Sequence, residues 1–277
     1  MSDPVPLDLS AYLQRIGFVI EPEPTVETLV GIHRLHATTI PFENLDIMAG
    51  RPIKIDLESI QTKLVKSRRG GYCFEHNLLL AAVLEKIGFD VTVLAARVRY
   101  HFRDIPPRTH ILLQVIVDGY PYLADVGFGA LGLLEPMPMT ARVESQQSGW
   151  RYRLIEGMSG WTLQSVEGKD WLDLYSFNLE PQHPIDLEVA NWFVSTHPQS
   201  RFVKFLIVQR SIGDTRFLIR KDHLIIDKLG DQKIERIIDE QHMSSILGTI
   251  FGIEVSPDLN FRRMIDRASI DSELGGV

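Results

Sequence analysis

Cys73 is the only cysteine in the 277-residue chain, and its setting gives it chemical interest. It follows Arg69-Gly70-Gly71-Tyr72 and opens a stretch of about four helical turns that runs through the apolar Leu78–Leu84 to Gly88. Two glycines make a turn, so the pattern predicts that Cys73 lies in the first turn of a helix. Unpaired backbone N–H groups and the helix dipole there favour a thiolate, the nucleophilic form of the side chain. A nucleophile of this kind needs a base, and the base needs a third group to fix its tautomer.

His110 and Asp125 are the candidates for those two roles. His110–Val117 and Tyr120–Val126 read as strands joined by Asp118-Gly119, a strong signal for a two-residue type I′ hairpin. That turn sets Asp125 opposite Leu112 and leaves His110 on the same face, a diagonal neighbour within hydrogen-bonding reach. A longer loop would separate them, and a bulge would move one to the other face. The pattern leaves open whether Cys73 reaches His110.

Other polar residues carry weaker signals. His76 lies one helical turn beyond Cys73, where a structural role is expected, and Glu75-His76 lacks the second histidine of a zincin motif. His33 and His36 could share a helix face, but no ligand cluster accompanies them, so no metal is expected. Val126-Gly127-Phe128-Gly129 would allow close backbone approach to a ligand, or simply a turn at a strand end. It is not a P-loop, because no Lys-Ser/Thr pair follows.

The elements that must position these residues fall into three textures. Leu9, Tyr12, Leu13 and Ile16, then the segment from Thr25 to His36, then the run from Tyr72 to Gly88 repeat at helical spacing. From Asp90 the period becomes two, with short strand candidates at 91–94, 110–117, 120–126, 151–155 and 161–165, the signature of a small antiparallel barrel or sandwich. The last part mixes strand-like Phe202–Gln209 and Phe217–Ile219 with a helix near Asp239–Phe251. We therefore expect an α+β chain divided at about 1–89, 90–200 and 201–277.

Composition narrows the function. A net charge of −7 argues against nucleic-acid and anionic-membrane partners, which call for a basic footprint. The first residues lack the pattern of a signal peptide, no apolar stretch approaches 18 residues, and a lone cysteine fits a reducing compartment. A cytoplasmic location is the expectation.

These stretches resemble the arylamine N-acetyltransferase family. The resemblance rests on Ile40-Pro41-Phe42-Glu43-Asn44-Leu45, Arg69–Asn77, Arg108-Thr109-His110, Asp125–Gly129, Asn191–Thr196 and Pro198–Phe202, in the family's order. It implies an N-terminal helical bundle, a central β-barrel and a C-terminal α/β lid around a cysteine-protease-like core. It also implies acetyl-CoA as co-substrate and small aromatic amines or hydrazines as acceptors, with transfer through acetyl-Cys73. By resemblance, Thr109, Gly127, Phe128 and Gly129 lie near CoA, while Phe42, Val98, Phe128 and Phe202 line the acceptor pocket. Ala130 stands where relatives often carry a further glycine. CoA's phosphates would need cations such as Arg68, Arg69 or Lys204 nearby. Two other readings compete: a cysteine amidohydrolase using the same triad, and a catalytically silent thiol-binding or interaction protein.

Overall fold

The computed structural model describes residues 5–100, 104–254 and 261, so 255–260 and 262–277 of the expected lid lie outside the described residues. α1 (Leu9–Ile16) begins where the Asp8 carboxylate accepts the Ala11 N–H at 2.9 Å. It ends at Gly17, whose φ of 77° suits a residue without a Cβ. α2 (Val26–Thr39) starts at the Thr25 cap. Next come β1 (Phe42–Glu43), α3 (Leu45–Met48) and α4 (Leu57–Gln61), the last passing into a π-helical turn at Thr62–Lys66. α5 (Cys73–Ile87) packs its Leu79, Leu80, Val83 and Leu84 against Tyr12, Leu29 and Ile32, all of them removed from water. Each such aliphatic burial is worth about 1.5–3 kcal/mol.

Eight antiparallel strands follow: β2 (Asp90–Val98), β3 (Arg108–Val117), β4 (Tyr120–Ala124), β5 (Met137–Pro138), β6 (Glu144–Gln147), β7 (Trp150–Gly157), β8 (Gly160–Glu167) and β9 (Asp170–Pro181). They pair in the order β5-β4-β3-β2-β9-β8-β7-β6 and form a nearly closed barrel around Leu94, Leu112, Leu123, Leu163 and Tyr175. α6 (Pro184–Thr196) and α7 (Arg201–Lys204) lead into β10 (Ile207–Ile212), β11 (Thr215–Arg220), β12 (His223–Lys228), β13 (Asp231–Arg236) and α8 (Glu240–Thr249). The last four strands form a sheet with β1, so the helical first part contributes an edge strand to the C-terminal sheet. The α+β architecture of bundle, barrel and lid is the one expected. Among the described residues, no helix is long and apolar enough to cross a membrane.

Two segments depart from the periodicity. Phe202–Gln209 is not one strand: its first residues form α7, started by Ser200, whose hydroxyl accepts the Phe202 N–H, and β10 begins only at Ile207. β4 stops at Ala124 rather than Val126, because Asp125 turns its carboxylate back to accept the Gly127 N–H at 2.9 Å. β9, α6, β12 and β13 gave no recognisable signal.

Candidate active site

The β3–β4 hairpin has the register that the Asp118-Gly119 turn dictates, with Val117 facing Tyr120 and Leu113 facing Ala124. Both turn residues have positive φ, 51° and 81°, as a type I′ turn requires. His110 and Asp125 consequently meet inside the barrel: His110 Nε2 lies 2.7 Å from Asp125 Oδ2, with both residues buried. A carboxylate accepts, so the imidazole hydrogen is on Nε2 and the Nδ1 lone pair is left as the available base.

Asp125 is held by three further hydrogen bonds, and His110 by an aromatic neighbour. Asn77 Nδ2 and the Gly127 N–H each donate to its Oδ1 at 2.9 Å, its own N–H donates to His33 Nε2 at 3.0 Å, and the buried Tyr175 ring lies 5.0 Å from that of His110. Burial alone would raise Asp125; His110, with the Asn77 and Gly127 donors, overcomes that and holds its carboxyl below the usual range. Burial and the Asp125 carboxylate push Tyr175 up, and its hydroxyl has no partner with hydrogen-bond geometry among the described residues.

Cys73 is the first residue of α5, as expected, and is 3% exposed. Its sulfur sits against the backbone on both sides of His110: Sγ–H donates to the Thr109 carbonyl at 3.7 Å, and the Ile111 N–H approaches the sulfur. This setting opposes the expected thiolate. Burial, then the Asp125 carboxylate, push the Cys73 thiol up, and the Phe74 and Ile111 N–H groups only partly offset them. A helix start in a dry site lacks the solvent that stabilises an anion, so burial works against the helix dipole here.

The glycines answer to close packing. A Cβ on Gly127 would lie 2.8 Å from Cys73 Cα, and one on Gly129, where φ is 85°, would lie 2.1 Å from Gln209 Oε1. Gln209 Oε1 also accepts the Ala130 N–H at 2.9 Å, so the C-terminal sheet holds this loop directly. Phe128 stands edge-on to His110 at 5.2 Å.

Of the expected pocket residues, Phe42 and Phe202 meet at 5.9 Å, and Phe202 also meets Tyr72 at 5.5 Å. Val98 faces Tyr175 across β2 and β9, and Tyr175 in turn meets Phe128 at 5.1 Å. None of the four lines the cavity beside β3. That cavity, of about 300 Å³, is lined instead by Thr109, His110, Ile111, Leu187, Ala190 and Phe193, among others. The cations named for CoA's phosphates are also redistributed. Arg69 is engaged by Glu43 at 2.7 Å and Asp46 at 3.5 Å, Lys204 donates to Gln199 at 3.3 Å, and Arg68 is exposed.

Asn77, Tyr175, His33 and Gln209 were missed as site residues. Only Asn77 carried a readable signal, since four residues after Cys73 it shares the nucleophile's helix face. Among the described residues no group of His, Cys, Asp and Glu could hold a metal ion.

A buried thiol beside a carboxylate-held imidazole, on this bundle and barrel, defines a cysteine-centred enzyme fold. Comparison with known proteins names the family. The N-acetyltransferase family profile matches residues 25–260. An arylamine N-acetyltransferase of Mycolicibacterium smegmatis is 40% identical over 255 residues, covering 90% of this chain and 93% of the relative. The solved structure of the Mycobacterium marinum arylamine N-acetyltransferase superposes with a TM-score of 0.89 at 35% identity, covering 94% of this chain and 98% of that one. The same M. marinum enzyme in complex with CoA superposes with a TM-score of 0.88 at 35% identity, covering 94% and 98%. The chain belongs to the arylamine N-acetyltransferase family and is an acyltransferase.

Proposed function

We propose that the protein transfers an acetyl group from acetyl-CoA to arylamines or arylhydrazines by a ping-pong route through acetyl-Cys73. His110 Nδ1 takes the Cys73 proton as the sulfur attacks the thioester carbonyl. A new C–S bond forms, the bond to CoA's sulfur breaks, and the departing CoA thiolate takes the proton from His110. Asp125 holds the imidazolium formed in between. The amine nitrogen then attacks acetyl-Cys73, His110 accepts its proton, and the amide leaves as the C–S bond breaks and the proton returns to sulfur. Thioester exchange is nearly balanced in energy, so the acetyl group stays activated on the enzyme. Aromatic amines are uncharged near neutral pH and arrive ready to attack.

The observation that carries this reading is the His110–Asp125 bond at 2.7 Å, which fixes the tautomer and leaves the other ring nitrogen as a base beside the sulfur-bearing backbone. Thr109, Gly127, Phe128 and Gly129 are assigned to the CoA side, and Phe42, Val98, Phe128 and Phe202 to the acceptor side. The division at 89/90 and 200/201 and a cytoplasmic location complete the proposal.

The test is intact mass after incubation with acetyl-CoA alone, beside Cys73→Ser. One acetyl group on the wild type only, discharged by an aromatic amine, is the expected result. A label lost to water without amine points to the amidohydrolase, and no label at all leaves a silent thiol protein.

A further inference from the structure

Three aromatic polar side chains from three helices form a buried chain that the transfer mechanism does not use. Tyr12 Oη lies 2.8 Å from His36 Nδ1, His36 Nε2 lies 2.9 Å from His76 Nδ1, and His76 Nε2 lies 3.2 Å from the Pro41 carbonyl. Tyr12, His36 and His76 are at most 1% exposed. The proton positions follow from the last acceptor. A carbonyl cannot donate, so His76 carries its hydrogen on Nε2 and accepts at Nδ1. His36 must then donate from Nε2 and accept at Nδ1, leaving Tyr12 as the donor. With both imidazoles neutral, this arrangement pairs every link and also spends the Tyr12 hydroxyl hydrogen inside the chain.

The chain ends on the strap that precedes the nucleophile's loop. The Pro41 carbonyl is so close to Gly70 that a Cβ there would lie 1.9 Å from it. Glu43 N–H donates to the Gly71 carbonyl at 2.7 Å, and Phe42 pairs with Gln209 on its other side. The Phe42 ring lies nearly parallel to His76, 12° between planes and 6.2 Å between centroids, and shares an apolar cluster with Cys73.

We propose that Tyr12, His36 and His76 are positioning residues for the acceptor half of the reaction, fixing the Pro41 carbonyl and with it the Phe42 ring against which the aromatic amine packs. The proposal rests on the reading of Phe42 as a wall of the acceptor pocket. It also makes the chain an acid-sensitive element. A proton added to His76 would place N–H against N–H, or reverse every link and leave the Tyr12 hydroxyl hydrogen without its acceptor. Burial is the main influence lowering both imidazoles, His76 to about 4 and His36 well below its ordinary value. Arg15 from α1, His33 from α2, Lys63 from the π-helical turn and Asp125 after β4 are the charged or titratable groups whose fields also reach them.

The sign follows. The unfolded histidines take up protons near pH 6.5 and the folded ones do not, so stability falls as pH drops from about 6.5 toward 4. The experiment compares wild type with His76→Leu, His76→Gln and Tyr12→Phe, reading the amine KM, the rate of Cys73 acylation by acetyl-CoA, and Tm between pH 4 and 7.5. His76→Leu should raise the amine KM by about tenfold, more than it slows acylation, because a misplaced wall penalises the acceptor first. His76→Gln, which keeps a donor and an acceptor, should recover part of that loss and flatten the acid dependence of Tm. Tyr12→Phe removes one hydrogen bond and almost no volume, so it carries the test if His76→Leu does not fold. An unchanged amine KM in a folded Tyr12→Phe and His76→Leu pair, with the wild type normally acylated, overturns the inference alone. A wild type that acetyl-CoA never acylates overturns the proposed function instead, and the Tm series still decides whether the chain is acid-sensitive.

Discussion

Two buried polar clusters flank the start of α5, and they are built to opposite ends. Below Cys73, Lys63 contacts Asp46 and Glu75 at 2.8 Å each, Arg69 contacts Glu43 at 2.7 Å, and Arg51 contacts Asp46 at 3.1 Å. The carboxylates also serve the backbone: Glu75 accepts the Tyr72 N–H at 3.0 Å and Glu43 accepts the Leu45 N–H at 2.7 Å. Charge meets charge throughout, and Asp46 is held below the usual carboxylate range: burial, which raises it, is overcome by Lys63 and Arg69. Above Cys73, Asp125 is equally well held, yet it grips the imidazole through one nitrogen only, and burial pushes the nearby thiol up. A closed network fixes a loop in place, whereas one left open at a single valence can move a proton.

This contrast makes distinct demands on mutants. The largest effect is expected from Asp125→Asn. The amide presents the wrong hydrogen-bonding pattern to His110 Nε2, so turnover should drop by about 10⁴-fold with Tm little changed, checked by steady-state kinetics and thermal melting. If turnover survives, the open network is not the catalytic one. Next comes Lys63→Met in the closed network. It strands Glu75 and Asp46 without their shared cation, and denaturant titration should show a loss of about 3–5 kcal/mol. Residual activity per folded molecule should stay near wild type, and a selective loss of turnover would blur the division between the clusters.

A smaller signal concerns the thiol. Because burial pushes Cys73 up, its alkylation by iodoacetamide should accelerate by about tenfold per pH unit through pH 7–9 without a plateau. A rate already flat from pH 6 would mean that a thiolate–imidazolium pair stands at rest. The smallest effect is expected from Gln209→Ala, which leaves the Ala130 N–H without its acceptor. About 1 kcal/mol of stability should be lost, with a modest rise in KM for acetyl-CoA. A KM that does not move would detach the C-terminal sheet from the glycine loop's function.

The sequence by itself determined the parts of this protein that depend on near neighbours. Gly70-Gly71 before an apolar run put Cys73 on the first residue of α5, and Asp118-Gly119 set a register that brings His110 to Asp125. The hairpin follows from the cost of positive φ and the alternation of a strand, and the helix start from an apolar run at helical spacing, rules that act over a few residues. Tertiary structure decided the rest. The helix start favours a thiolate, but the depth of burial, a property of the whole fold, pushes the thiol up. Gly127 and Gly129 read as a ligand loop, while their missing side chains make room for Cys73 and Gln209, residues 54 and 80 positions away in the chain. Arg69 was named among cations that CoA's phosphates would need, and Glu43 and Asp46, more than 20 residues earlier, engage it. Phe202 is the exception, since it read as strand in a mostly apolar run although Ser200, only two residues earlier, caps a helical turn there. Solvent exclusion and long-range pairing depend on which distant segments arrive together, and no local period records that.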